Sequence, residues 1–239
     1  MWLIPLGATV VAAMFAAMLV RQFLVRHGLA QLLWAIAMAM FAVASLALTI
    51  GVASGWTSTL FEVYWAFGGV LNVPFLAGGE LVLLVRRRWM LWAAWLVLIF
   101  SVAFTFAVLR RANVDAGVLL EQLPSGKHVF GDGTAAHRLP QYFSYPAYFI
   151  LLGGALWSAW KMRGRPELKD RFVGTLLIAV GATIVAGGST FAALGALTGF
   201  VLTLVVGIVV MFWGFVRASR PVVIPESAPV AAQAADQAG

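Results

Sequence analysis

Long apolar runs, separated by short polar stretches, dominate this chain. Seven runs can be followed along the sequence, at residues 3–20, 29–50, 58–85, 89–109, 143–160, 172–191 and 195–215. Each is close to the roughly 20 residues that an α-helix needs to cross a hydrocarbon core about 30 Å thick. The pattern therefore predicts an all-α, polytopic membrane protein whose residues 1–217 form a domain of seven transmembrane helices.

The composition supports the same class and excludes others. The chain is 62% hydrophobic and 10% charged, whereas ordinary soluble domains are about 25% charged. It has no cysteine, which excludes disulfides, iron–sulfur clusters and thiol catalysis. Its net charge of +7 comes mostly from the loops expected to be cytoplasmic, and it is interpreted as a determinant of topology and of attraction to anionic lipid. The predicted partner is thus the lipid bilayer, with no nucleic acid.

The positions of the basic residues predict the orientation. Alternate loops carry twelve of the sixteen Lys and Arg residues: Arg21, Arg26, Arg86, Arg87, Arg88, Lys161, Arg163, Arg165, Lys169, Arg171, Arg217 and Arg220. By the positive-inside rule these loops face the cytoplasm. We therefore expect an outer N-terminus, a cytoplasmic C-terminus and a multi-pass location in a bacterial cytoplasmic (inner) membrane. The first run lacks a basic leading region, so it is not expected to be a signal peptide.

Two regions lie between or beyond the runs. The connection 110–141 is long and is predicted to lie outside, with an amphipathic helix over 112–123 and a tight turn or short hairpin at the "GDG" of 131–133. Residues 218–239 are rich in Ala and Pro and are predicted to be a disordered cytoplasmic tail. No kinase or other soluble output domain is recognisable.

The order of runs and loops also resembles an internal repeat. Runs one to three and runs five to seven follow the same plan, and the fourth run joins them. This 3 + 1 + 3 arrangement is compatible with parallel repeats related by an axis along the membrane normal. Microbial rhodopsins share seven helices, but residues 195–215 contain no lysine, which excludes a covalent retinal.

The third run carries two acidic residues, Glu62 and Glu80. They are 18 residues apart, or five turns of a straight α-helix, so they are predicted to share a face about 27 Å long. Acidic residues within a membrane are candidate functional sites. The alternative is structural pairing, of Glu80 with Arg87 or the loop 161–171 and of Glu62 with Arg110 or Arg111. Small residues on that face predict a neighbouring helix close by: Ala66, Gly69, Val73 and Ala77.

Asn72 and Pro74 form the most polar spot at mid-membrane. Proline removes one backbone hydrogen bond and bends the helix, which frees the carbonyl of Leu71 or Val70. The segment is interpreted either as a structural kink or as a pocket for a small apolar or amphipathic molecule. Aromatic walls are predicted at Tyr64, Trp65, Phe67 and Phe75. The candidate ligand-binding residues are thus Glu62, Trp65, Asn72, Pro74 and Glu80.

Other chemistry has little support in the sequence. His128 and His137 flank Asp132, but a spacing of nine residues matches no standard metal-ligand pattern. No nucleophile–base constellation is present. We therefore expect no catalytic residue, no metal, no cofactor and no enzymatic activity.

Two stretches carry a resemblance. Residues 61–84, "FEVYWAFGGVLNVPFLAGGELVLL", and residues 153–183, "GGALWSAWKMRGRPELKDRFVGTLLIAVGAT", resemble a group of uncharacterised bacterial seven-helix membrane proteins. The resemblance covers most of residues 1–217 and implies the topology, without an activity or a set of binding residues. The topology is also similar to the seven-helix input regions of sensor histidine kinases, without the kinase.

Three classes of function remain open. The first is a ligand-sensing or partner-binding module, whose partner is a second membrane protein or a small molecule. The second is a small-solute transporter of the 3 + 1 + 3 type, and the third is an accessory subunit of a membrane complex. The sequence favours the first, because the kinked polar face is confined to one helix and the seventh run has no Pro or Asn to match it.

Overall fold

The computed structural model describes residues 2–85 and 88–219, with only the backbone of Arg88, and this part of the chain holds helices and no strand. The predicted all-α class is confirmed. Of the predicted tail, residues 220–239 lie outside the described residues. The eight α-helices are α1 (Leu3–Arg26), α2 (Leu29–Ser54), α3 (Ser58–Leu84), α4 (Arg88–Leu109), α5 (Gly126–Phe130), α6 (Ala135–Met162), α7 (Lys169–Ala193) and α8 (Leu197–Ala218).

Six of these helices are long and apolar enough to cross a membrane: α1, α2, α3, α4, α7 and α8. This confirms a polytopic protein. Helix α6 has 28 residues, enough for about 42 Å of length. It is less apolar because Tyr, Ser, Pro and Trp residues lie within its predicted span, 143–160. The seventh crossing therefore stays a prediction.

The long helices pack in a closed order. Helix α1 packs on α2, α2 on α3, α3 on α6, α6 on α7, α7 on α8, and α8 returns to α1. Helix α4 packs on α3 and α6 and buries one face, with Leu98, Ser101, Thr105 and Leu109. Helix α3 thus contacts helices from both halves of the chain, and this places its side chains inside the bundle.

Close approach between α7 and α8 depends on glycine. A Cβ atom at Gly174 would lie 2.5 Å from the carbonyl oxygen of Gly214, and one at Gly181 would lie 2.6 Å from that of Gly207. The two backbones therefore touch at two levels. Small residues at such contacts let membrane helices gain van der Waals packing, so these four glycines set the distance between the helices.

Helices α3 and α6 run side by side in the same direction. At one end, the indole nitrogen of Trp65 donates a 3.0 Å hydrogen bond to the carbonyl of Ala136. Further along, Ser144 bonds to the carbonyl of Gly69, and Ser158 bonds to Glu80. Residue numbers rise together along both helices, so α6 accompanies α3 through most of its length.

The connection 110–141, called the outer connection below after its predicted side of the membrane, differs from its prediction. Residues 112–123 hold only one 3₁₀ turn, Val118–Leu120, and the hairpin is replaced by α5. The amphipathic helix and the hairpin were therefore wrong, although the tight turn is present, with positive φ at Gly131 and Gly133. The reason is irregular burial. Within 112–123 only Leu119 and Leu123 are buried, too few for one continuous apolar face, and Val129 and Phe130 are buried next to each other, which breaks the alternation of a strand.

Candidate functional site

The middle of α3 is a π-helix over Trp65–Leu71, with α-helix before and after it. Pro74 lies three residues beyond this segment. It has no N–H to bond the carbonyl four residues earlier, that of Val70, and its ring crowds that carbonyl. The helix widens just before this point, which frees backbone carbonyls as expected from the sequence.

Ser144 of α6 binds the freed carbonyls. Its hydroxyl lies 2.7 Å from the carbonyl oxygen of Gly69 and 2.9 Å from that of Val70. One hydroxyl has a single proton, so the two acceptors share it. The widened part of α3 is thus connected to α6 by one buried side chain.

Asn72 follows the π-helix directly and is only 4% exposed. Its side-chain oxygen Oδ1 has no hydrogen-bond partner among the described residues. A buried acceptor without a donor costs about 1–3 kcal/mol of stability. The position that the sequence marked as most polar therefore holds an unsatisfied acceptor inside the protein.

Helix α4 buries a second polar group. The hydroxyl of Thr105 is fully buried and also lacks a partner within the described part of the chain. Phe106 packs edge-on against Phe67, and Leu98 lies against Gly78, so α3 and α4 run antiparallel. Interpolation between these contacts puts Thr105 within about one helical turn of the level of Asn72. Asn72 and Ser144 together are called the interior polar site below.

Trp65 belongs to a different environment. Its ring packs against Phe130 and Phe61, with ring centroids 5.8 and 6.1 Å apart. Gly126 lies so close to the indole that a Cβ atom there would clash with it. Trp65 therefore anchors the outer segment to α3 and lies about two turns from Asn72.

Helix α3 is also bonded to α2. The indole nitrogen of Trp34 donates a 3.1 Å hydrogen bond to the carbonyl of Leu76. Gly79 permits this approach, because a Cβ atom there would overlap the indole. Side chains from α2 and α6 thus hold the backbone of α3 from two directions.

Glu80 is 7% exposed and faces α6. Ser158 donates a 3.4 Å hydrogen bond to its Oε1, and Gly154 leaves room for its side chain. The described residues contain no ion pair of Glu80 with Lys or Arg, although Arg87 lies outside them. Pairing with the loop 161–171 was therefore wrong, because a neighbouring hydroxyl takes that place.

Glu62 is only partly buried, and no hydrogen bond or ion pair to it is found in residues 2–85 and 88–219. The pairing with Arg110 or Arg111 was thus wrong, since a partly exposed carboxyl near the start of α3 can reach water. The shared face with Glu80 was also wrong. A π-helix has more residues per turn than an α-helix, so the seven residues of Trp65–Leu71 rotate Glu80 away from the register of Glu62.

Asp132 forms the polar centre of the outer turn. Its Oδ2 lies 3.1 Å from Nζ of Lys127, and its Oδ1 lies 3.5 Å from Nδ1 of His137. The hydrogen bond and positive charge of Lys127 hold the pKa of this carboxyl below its usual value, with a smaller contribution from His137. His128 is exposed on the same turn. Among the described residues no three side chains are grouped as a metal site.

Two clefts stand out, and neither is lined by α3. A narrow groove lies beside Pro5 and Leu197. A larger cleft of about 310 Å³ lies at the junction of α6 and α7, beside Arg163 and Lys169. Because protein encloses Asn72 almost completely, a ligand reaches the interior polar site only when neighbouring side chains move.

Comparisons with protein families, with characterised proteins and with solved structures find no match for this chain. No family is shown. The resemblance to bacterial seven-helix proteins consequently stays a prediction, and function has to be argued from the site itself.

Sequence reasoning found Asn72, Pro74 and Glu80 but missed the residues of α6 that bond to α3. Ser144 and Ser158 are single small polar residues in an apolar helix, and such residues most often bond to their own helix. Only tertiary packing brings them to α3. The one signal in the sequence was the Gly153–Gly154 pair, which marks a side of α6 where another helix can approach.

Proposed function

We propose that this chain is a non-enzymatic membrane protein of seven spanning helices that works as a ligand-sensing or partner-binding module. A small apolar or amphipathic molecule binds inside the bundle at the kinked third helix. The observation that carries the proposal is the buried Oδ1 of Asn72, which has no donor among the described residues. Buried polar groups of native proteins almost always have partners, so this oxygen is expected to be satisfied by a molecule from outside the chain.

Several contacts support the seventh crossing by α6. The outer ends of the helices are joined by bonds from Trp56 to the carbonyl of Gln122 and from Trp65 to that of Ala136. The opposite ends are joined by Gln22 with Ser219 and by Arg217 with Asp170. If α3 crosses the bilayer, α6 crosses beside it, and the odd number of crossings agrees with the charge distribution, which places the N-terminus outside and the C-terminus in the cytoplasm.

The chemistry of the site defines the class of ligand. An amide oxygen accepts hydrogen bonds, so the ligand carries a hydroxyl, amine or amide N–H that donates to Asn72. The surrounding side chains are apolar, so the rest of the molecule is apolar too, as is usual for internal sites.

The π-helix provides a way for ligand binding to change the shape of α3. Single π segments in α-helices are frequent at functional sites, and this one is held by the bonds of Ser144 to two carbonyls. A ligand bonded to Asn72 changes the balance between the wide and the regular form of α3. Helix α3 contacts α2, α4 and α6, so this change reaches both halves of the bundle and any partner that binds them.

The test is extraction of small molecules from protein purified out of membranes in mild detergent, followed by mass spectrometry. We expect a compound with a hydrogen-bond donor to accompany the native protein and to be lost from Asn72→Leu. The matched control is Thr49→Val, a buried polar residue whose hydroxyl bonds within its own helix. The proposal fails if no compound accompanies the native protein, or if Asn72→Leu retains it at the same level.

A transporter of the 3 + 1 + 3 type is the second candidate. The closed packing order of α1, α2, α3, α6, α7 and α8 is the cyclic order that two parallel three-helix repeats would give. Against it, α8 contains neither Pro nor Asn, so the polar break of α3 has no counterpart. The third candidate, an accessory subunit, stays a prediction from the sequence.

Alternating access separates the first two candidates. The chain has no cysteine, so Asn72→Cys supplies a single thiol at the site. A transporter exposes this thiol to charged thiol reagents from both sides of sealed vesicles. A sensing module has no solute path across the membrane, so it allows labelling of the thiol from one side at most.

A further inference from the structure

The cleft between α6 and α7 combines positive charge with apolar surface. It is an open depression of about 310 Å³, and its lining includes the cations Arg163, Arg165 and Lys169 and the apolar residues Met162, Pro166 and Phe172. The three cations are exposed, whereas Met162 and Phe172 are partly buried. The cleft therefore presents a charged rim above an apolar floor.

The charge of the rim is not neutralised by the nearby acids. Asp170 is partly exposed and its Oδ1 lies 2.9 Å from Nε of Arg217, so this acid is already paired with another helix. Glu167 is exposed. Arg163, Arg165 and Lys169 form no ion pair within residues 2–85 and 88–219, which leaves three cations around one opening.

The cleft lies at the level of a membrane surface. Helix α6 ends at Met162 and α7 begins at Lys169, so both helices meet water there if they span the bilayer. Trp157 and Trp160 are exposed on the last turns of α6, and Nζ of Lys161 lies 5.1 Å from the ring centre of Trp157. Tryptophan and lysine in this position are typical of the interface between lipid and water.

We propose that this cleft binds the phosphate group of an anionic phospholipid. Guanidinium groups bind phosphate through paired N–H donors, and basic pockets at the ends of membrane helices suit lipid head groups. The apolar floor favours a lipid over free phosphate, because Met162 and Phe172 can pack against the first carbons below the head group. The inference rests on the spanning arrangement and is independent of the interior polar site.

The test compares two triple variants of the full chain by native mass spectrometry, with phosphatidylglycerol and phosphatidylcholine as the added probes. The cleft variant is Arg163→Gln, Arg165→Gln and Lys169→Gln. The control is Arg21→Gln, Arg26→Gln and Arg171→Gln, which removes the same charge from exposed positions that do not line the cleft.

We expect the native protein and the control to retain phosphatidylglycerol in preference to phosphatidylcholine. Each cation near an anionic head group contributes about fivefold in affinity, so the cleft variant should lose on the order of a hundredfold. A loss below about fivefold, or an equal loss in both triple variants, overturns the proposal. It is also overturned if inorganic phosphate at millimolar concentration displaces the lipid completely, since the site would then recognise phosphate alone.

Failure of this test is distinct from failure of the proposed function. Asn72→Leu should retain phosphatidylglycerol like the native protein, because the variant does not touch the cleft. Conversely, the cleft variant should keep the small molecule that accompanies the interior polar site.

Discussion

Gly154 determines where a carboxyl side chain can lie inside the bundle. A Cβ atom at this position would be 2.6 Å from Cγ of Glu80 and 2.9 Å from Cδ1 of Leu84. The preceding residue, Gly153, has nothing within 4 Å of the same added atom. One glycine of the pair is therefore required by packing against α3, and the other is not.

This difference gives a matched pair of variants. Gly154→Ala should lower the melting temperature in detergent, because overpacking of a tight contact costs about 1–3 kcal/mol. Gly153→Ala should leave it unchanged or raise it, since alanine favours helix over glycine by up to about 1 kcal/mol. Equal effects of the two substitutions would contradict the contact between Gly154 and Glu80.

Asn72 should behave unlike a normal buried polar residue. Replacement of an unsatisfied buried polar group by an apolar one of similar shape is nearly neutral or stabilising. Asn72→Leu, in protein freed of ligand by detergent exchange, is therefore expected to melt at or above the native temperature. A drop of several degrees would mean that the carboxamide makes hydrogen bonds that stabilise the ligand-free bundle.

At the scale of elements, α3 shows what its sequence could and could not predict. Pro74 predicts a freed carbonyl near Val70 because the missing N–H acts within four residues of chain. The partner of that carbonyl, Ser144, is 74 residues away, and no local pattern reports it. The same limit explains why the predicted shared face of Glu62 and Glu80 was wrong. Widening into a π-helix depends on neighbouring helices as well as on Pro74.

Ser144 therefore has a measurable role in α3. Ser144→Ala leaves the carbonyls of Gly69 and Val70 without their donor and should cost about 1–2 kcal/mol. Ser101→Ala is the control, because this buried hydroxyl bonds to Leu98 within its own helix. Ser144→Ala should lower the melting temperature more than Ser101→Ala does. The reverse order would be incompatible with Ser144 as the residue that holds the π segment.

At the scale of the whole molecule, the apolar runs predicted most of the architecture, and the orientation deduced from the loop charges stays a prediction. Seven long helices lie close to the seven predicted runs, because the length and apolarity that a bilayer demands are properties of the sequence itself. The outer connection 110–141 was less predictable. Its structure depends on Trp56 and Trp65, which bond to Gln122 and Ala136, and these contacts are distant in sequence.

The orientation can be tested with single cysteines, since the chain has none. Leu120 is 90% exposed in the outer connection, and Glu167 is exposed between α6 and α7. Leu120→Cys should react with a membrane-impermeant thiol reagent in intact cells, whereas Glu167→Cys should react only after lysis. Labelling of both positions in intact cells would place them on one side of the membrane and remove the crossing by α6.

The central claim is that the interior polar site holds a small molecule. The most direct measurement is an experimental structure of the protein purified from membranes in mild detergent, at a resolution that separates ligand from water. The account predicts non-protein density within about 3 Å of Asn72 Oδ1, at hydrogen-bond distance, and extending along the surrounding apolar side chains. Density for a single water there, or an empty site with Oδ1 bonded to another side chain, would contradict it.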